Sequence, residues 1–192
     1  MTKNLAVFAG RYAPHTSMID QLQEFGAFAA EGGWHVYYGG GDEGVMGQIA
    51  LGALQGRGAV TAVLTSDEDP PVFSGVPAAS TIQRVQTAMH RTDALIQNAD
   101  AFCVLPGGLG TLSEFLTALH VWFEEKPRRP FLVYDWMDVF KDLRGFLKDL
   151  KADGWINEHA TFLDEPHSRG AYPFLWTPSL EEGKSFLEDV GA

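Results

Sequence analysis

Ala101-Phe102-Cys103-Val104-Leu105-Pro106-Gly107-Gly108-Leu109-Gly110-Thr111-Leu112-Ser113-Glu114 is the stretch on which the fold turns. Ala101 to Leu105 is an apolar run of strand length, and the glycines after it form a tight turn. The spacing then predicts a helix from near Thr111 to about Glu124, with Leu112, Phe115, Leu116, Leu119 and Trp122 inward. A strand, a glycine turn and a helix N-terminus make an anion site. The first backbone amides of a helix have no internal partner, the helix dipole is positive there, and glycine lets a phosphate approach without a Cβ in the way. The same residues also fit a capping box, in which Thr111 caps the Glu114 amide and the Glu114 carboxylate reaches back to Thr111. Three glycines at one turn favour ligand binding.

Outward from this stretch, short apolar runs alternate with helical patterns. Strands are expected at Leu5 to Phe8, His35 to Tyr38, Ala59 to Leu64, Ser80 to Val85 and Phe131 to Tyr134. Helices are expected from about Ser17, with Met18, Ile19, Leu22, Phe25 and Ala29 on one face, from Val45 to about Gln55, from Thr87 to Asn98 and from Val139 to Ala152. Ser66 to Pro77, rich in acids and prolines, is an irregular excursion. The second strand runs into Gly39-Gly40-Gly41-Asp42-Glu43-Gly44, so strand, glycine turn and helix recur. Strands spaced by helices require right-handed crossovers, hence an α/β, doubly wound, Rossmann-like and mostly parallel sheet with helices on both faces. In such sheets the ligand lies beyond the carboxyl ends of the strands, where both glycine turns fall. Neither turn fits G-x-G-x-x-G and neither is followed by a Walker lysine, so the residues alone point to a mononucleotide or sugar-phosphate site formed by two loops. The tail from His159 to Ala192 adds Phe162, Phe174, Leu175 and Trp176 and then a helix from about Ser179, and is expected to pack against the sheet.

The chain has 192 residues, 45% of them hydrophobic and 20% charged, which suits one domain with a good core. With 25 acidic residues against 14 basic ones the net charge is −11, a balance that repels nucleic acid and anionic membranes. A bound phosphate must therefore be held by local geometry. Met1-Thr2-Lys3-Asn4 lacks the basic and apolar regions of a signal peptide and the apolar runs are strand-length, so the expected location is the cytoplasm. Cys103 is the single cysteine and sits in a strand, as core filler. No His/Cys/Asp cluster has metal spacing, His90 and His120 included, so no metal is expected. A pyridoxal cofactor would need a Schiff-base lysine, but Lys3, Lys126, Lys141, Lys148, Lys151 and Lys184 lie away from the glycine turns, and no cofactor is expected.

Pro106 to Glu114 matches P-G-G-x-G-T-x-x-E, and Tyr38-Gly39-Gly40-Gly41-Asp42-Glu43-Gly44-Val45-Met46-Gly47 matches Y-G-G-G-x-x-G-x-M-G. Over roughly Leu5 to Ile156 the chain resembles the LOG (Lonely Guy) family, cytokinin riboside 5′-monophosphate phosphoribohydrolases long mislabelled as lysine decarboxylases. The resemblance implies hydrolysis of the N-glycosidic bond of a purine nucleoside 5′-monophosphate, giving free base and ribose 5-phosphate. It makes Glu114 the carboxylate that stabilises positive charge on the ribose and orients the attacking water, and Arg91 the residue that positions the nucleotide or the departing base. Gly107, Gly108, Gly110 and Thr111 then hold the phosphate, and Gly40 and Gly41 let the other loop close on it. Asp42 and Glu43 suit a helix N-terminus but would repel phosphate, so no ligand contact is assigned to them. The resemblance also implies a homodimer, to which Trp122 and Phe123 would offer apolar surface. Three positions depart from the family pattern: Thr92 replaces a lysine, Thr117 stands where many members have a second glutamate, and Arg11 follows Gly10 where serine is usual. Arg11 and His15 are candidates to replace the lost polar groups. A second class of function stays open, a non-catalytic nucleotide-binding or sensing module of the same fold.

Overall fold

The computed structural model describes residues 2–70, 81–124, 128–157, 160–164, 167–168 and 173–191. Residues 71–77 of the acid- and proline-rich excursion, Ser80, and His159 and Ala192 of the tail lie outside the described residues. In chain order the elements are β1 (Lys3–Phe8), α1 (Ile19–Glu31), β2 (Trp34–Tyr38), α2 (Gly44–Gln55), β3 (Val60–Thr65), β4 (Thr81–Val85), α3 (Ala88–Asn98), β5 (Ala101–Val104), α4 (Leu109–Glu124), β6 (Phe131–Tyr134), α5 (Lys141–Ala152), β7 (His167–Ser168), β8 (Phe174–Thr177) and α6 (Leu180–Gly191). A single 3-10 turn, Thr16–Met18, leads into α1.

The strands form one sheet in the order β4-β3-β2-β1-β5-β6-β8-β7, and every pairing is parallel except that of β7 with β8. The chain winds outward from β1 to β4 and then returns to the other side of β1 to lay down β5. That reversal puts a topological switch point between β1 and β5, where the two following loops diverge and leave a crevice. Both faces of the sheet are covered, so alternate residues of one strand feed two cores. Leu5 and Val7 of β1 join a cluster with α1, α2 and α6, while Ala6 and Phe8 join one with α3, α4 and α5. Strands buried on both faces read as unbroken apolar runs, which is why Ala101–Val104 and Phe131–Tyr134 look alike in sequence. Cys103 is buried among them, and burial pushes its thiol well above the ordinary range. The tail does more than pack on the sheet: β8 extends it beside β6, and Lys3 Nζ donates to the carbonyls of Val190 and Gly191 at the end of α6. Among the described residues no helix is long and apolar enough to cross a membrane.

Three expectations change. The helix after β5 starts at Leu109 rather than Thr111, because the Leu112 amide donates to the Gly108 carbonyl at 3.0 Å and so makes Gly108 the capping position. Thr111 lies within the first turn, and a capping box between Thr111 and Glu114 does not form. Leu116 points outward, 42% exposed, since the buried stripe of α4 runs through Thr111, Phe115, Ala118, Leu119 and Trp122. Trp122 is only 1% exposed and is edge-packed against Phe131, Phe162 and Phe174, so it has no surface left to offer a partner.

Candidate active site

The two loops at the switch point touch backbone to backbone. Gly10 N donates to Pro106 O at 3.1 Å, and a Cβ at Gly10 would lie 2.8 Å from Gly107 Cα. A Cβ at Gly107 would in turn lie 2.1 Å from Thr111 Oγ1, so the buried Thr111 side chain is seated directly under Gly107. Gly107 is therefore a packing residue, and the cavity is lined from the next residue on. The amides of Leu109, Gly110 and Thr111 have no carbonyl a turn earlier to bond, and all three residues line a cavity of about 630 Å³. Added Cβ atoms at Gly108 and Gly110 would meet nothing within 4 Å, so these glycines open onto that space.

The second glycine turn plays a different part. Met46 N of α2 is already engaged by Gly10 O at 3.0 Å, and the Gly41 amide faces Met46 Sδ at 3.2 Å. The Tyr38-to-Gly47 motif thus docks α2 onto the β1 loop and builds a wall of the cavity. Gly40 has φ +85°, and a Cβ there would meet Leu64 Cδ2 at 2.2 Å, which is the physical reason for glycine at that position.

The cavity brings together most of the residues singled out from the sequence: Gly10, Arg11, Gly40, Gly41, Arg91, Gly108, Gly110, Thr111 and Glu114 all line it. Asp42, to which no ligand contact was assigned, lines it as well, together with Glu68 and Asp69. Among the described residues four carboxyl groups thus share the cavity with two guanidinium groups, Arg11 and Arg91, so the charge of the lining as a whole does not favour an anion. His15 lies elsewhere, with its ring 5.5 Å from that of Trp136 in a neighbouring apolar cavity of about 250 Å³ that shares Gly10, Arg11, Tyr12 and Gly108 with the first. Thr92 and Thr117, the two departures on α3 and α4, turn their hydroxyls to the Ala88 and Ser113 carbonyls of their own helices.

Glu114 is mostly buried. Burial pushes its carboxyl up to about 7, although the nearby positive charge of Arg91 pulls the other way. Arg91 gives Nη1 to both carboxylate oxygens of Glu68, each at 2.8 Å. Partial burial works to raise the Glu68 carboxyl, but the Thr65 amide, 2.7 Å from Oε2, and Arg91 outweigh it and hold the group below its ordinary value. Glu68 was missed in the sequence because it sits in an acidic run of an irregular loop, 23 positions from its partner. An acid in a loop at the carboxyl end of a strand was the only available signal.

The cavity has the volume of a nucleotide-sized ligand, and both the first-turn residues of α4 and Glu114 line it. A Schiff-base cofactor does not fit it, since no lysine lines it among the described residues. A family model described as "Possible lysine decarboxylase" matches residues 46–166. Proteins named cytokinin riboside 5′-monophosphate phosphoribohydrolase are similar over most of the chain. That of Rhodococcoides fascians is 31% identical, covering 80% of this chain and 78% of its own. That of Mycobacterium tuberculosis is 27% identical over 81% and 83%, and that of Arabidopsis thaliana 30% identical over 97% and 83%. Among solved structures, the molybdenum cofactor carrier protein of Chlamydomonas reinhardtii superposes with a TM-score of 0.72 at 15% identity, covering 99% of this chain and 98% of that one. The molybdenum cofactor binding protein of Rippkaea orientalis does so with 0.72 at 17%, covering 100% and 99%. At such identities these two show the shared fold alone. The family match over residues 46–166, the relatives at about 30% identity and the paired glycine motifs make this chain a member of the LOG family.

Proposed function

We propose that this protein hydrolyses the N-glycosidic bond of a purine nucleoside 5′-monophosphate of the AMP or cytokinin riboside monophosphate type, releasing free base and ribose 5-phosphate. The observation that carries the proposal is the presence, in one cavity, of the open α4 amides and the buried Glu114 carboxyl. The 5′-phosphate lies on the amides of Leu109, Gly110 and Thr111, with Arg11 at the rim. Glu114, when ionised, faces the ribose. As the C1′–N9 bond lengthens, positive charge grows on the sugar and the carboxylate stabilises it, the more strongly because little water intervenes. Water adds its oxygen to C1′, its proton passes to the leaving base, and Arg91 orients the nucleotide. The names of the relatives support this reading, while Thr92 and Thr117, standing where the family pattern has a lysine and many members have a second glutamate, favour the non-catalytic alternative.

Incubation with a panel of nucleoside 5′-monophosphates, with free base read by chromatography, tests the proposal. Base release establishes the hydrolase; tight binding without release establishes the non-catalytic nucleotide-binding module instead. The protein is further proposed to act as a cytoplasmic homodimer. The apolar surface for that is not Trp122 but the partly exposed Phe123 with Leu109 and Leu116 on α4, the last two 86% and 42% exposed. Light scattering at micromolar concentration should give the dimer mass, and a clean monomer would contradict it.

A further inference from the structure

Glu68 lies in a short loop that is held from several sides. Its carboxylate accepts the Thr65 amide, its own amide donates to the Thr65 carbonyl at 3.3 Å, and the Thr65 hydroxyl binds Asp67 at 2.7 Å. From the neighbouring strand β4, Arg84 Nη1 reaches the carbonyls of both Thr65 (2.8 Å) and Glu68. Such a loop presents its carboxylate at a defined place on the cavity wall. Of the acids in the cavity, both Glu68 and Glu114 feel the positive charge of Arg91, and Arg91 forms its ion pair with Glu68. Among the described residues no donor reaches the Glu114 carboxylate.

We propose that Glu68 is a positioning residue of this site: it draws the Arg91 guanidinium to the β3 side of the cavity and withholds it from Glu114, leaving the Glu114 carboxyl unpaired and open to the ligand. The inference deepens the hydrolase reading and takes its substrate from it, but the arrangement of charges stands on the geometry alone. A carboxyl that is buried, and whose nearest cation is neutralised by another acid, keeps its proton to higher pH than one in an ion pair. The titratable and charged groups that share the cavity with Glu114 are Arg11 and Tyr12 after β1, Asp42 after β2, Glu68 and Asp69 after β3, and Arg91 on α3. Of these, Arg91 and Glu68 form the coupled pair. Removing the Glu68 charge frees Arg91 to turn to Glu114 and to favour its ionised form.

The test is Glu68→Gln, which keeps the shape of the side chain and leaves the loop clamped through backbone carbonyls. The Glu114 carboxyl carbon is titrated by NMR in wild type and variant without ligand, and AMP turnover is followed against pH. The Glu114 midpoint should fall by at least one pH unit, and the acid limb of turnover should move down with it. A shift of about two units would raise the ionised fraction at pH 6 by roughly tenfold. A shift much smaller in an Arg91→Gln background than in wild type supports action through Arg91. An unchanged midpoint in Glu68→Gln, or an equal shift in both backgrounds, overturns the proposal. The NMR arm needs no turnover: a shifted midpoint in a protein that cleaves no nucleotide supports the role of Glu68 while refuting the hydrolase reading.

Discussion

Replacing Glu114 by glutamine separates the electrostatic cost of this carboxyl from its chemical use. An ordinary glutamate titrates near 4.5, and burial raises Glu114 to about 7. Between those values the native protein binds a proton that the unfolded chain has released, so native stability falls as pH rises through this window and stays lower above it. At about 1.4 kcal/mol per pH unit the difference amounts to roughly 3 kcal/mol at pH 8 and to nearly nothing at pH 4. Glutamine has the same shape and no charge to desolvate. Because α4 is capped at Gly108, the substitution removes no cap either. Glu114→Gln should therefore be more stable than wild type near pH 8 by up to about 3 kcal/mol, a rise in melting temperature of roughly 6–12 °C for a chain of this size, and about equally stable near pH 4. Its turnover of nucleoside 5′-monophosphates should fall at least ~100-fold with little change in binding, since the lost charge acts in the transition state. Melting curves at the two pH values and base release at neutral pH are measured on the same protein. Equal melting temperatures at pH 8 would refute the argument from burial, and near-normal turnover would refute the catalytic role.

The catalytic form of Glu114 is the ionised one, so turnover of the wild type should rise with pH through about 7 and level off above it; a flat profile between pH 5 and 8 would exclude that form. Gly108→Val should fold normally, because an added Cβ meets nothing within 4 Å, yet lose nucleotide binding because the side chain stands before the α4 amides; wild-type affinity in calorimetry would place the ligand elsewhere. A nucleoside 5′-monophosphate should bind far more tightly than its nucleoside, since the phosphate is the group the amide cradle recognises, and equal affinities would remove the cradle from the model of binding.

Much of this protein is legible in short-range pattern. The unbroken apolar runs of β5 and β6, the helical spacing between them and the glycine turns after β2 and β5 require a doubly wound parallel sheet with its cleft at the carboxyl ends of the strands. Within that cleft the open glycines and Glu114 could be named from motif spacing, because a motif after a strand keeps its place relative to the sheet, whereas Arg91 could be named only from the family resemblance. What the linear pattern left undetermined depends on long-range contacts. Helix α4 begins at Leu109 because the Gly108 carbonyl is free to accept the Leu112 amide, which assigns Thr111 to packing under Gly107 rather than to a cap. The inward side of α4 passes through Trp122 and leaves Leu116 in solvent, since the aromatic residues of β6 and β8 set the angle at which the helix lies. The partner of Arg91 was the least legible of all. Glu68 comes from the loop after β3, held by Thr65 and by Arg84 of β4, and Arg91 from α3, so no local rule relates two residues that meet only in the folded chain.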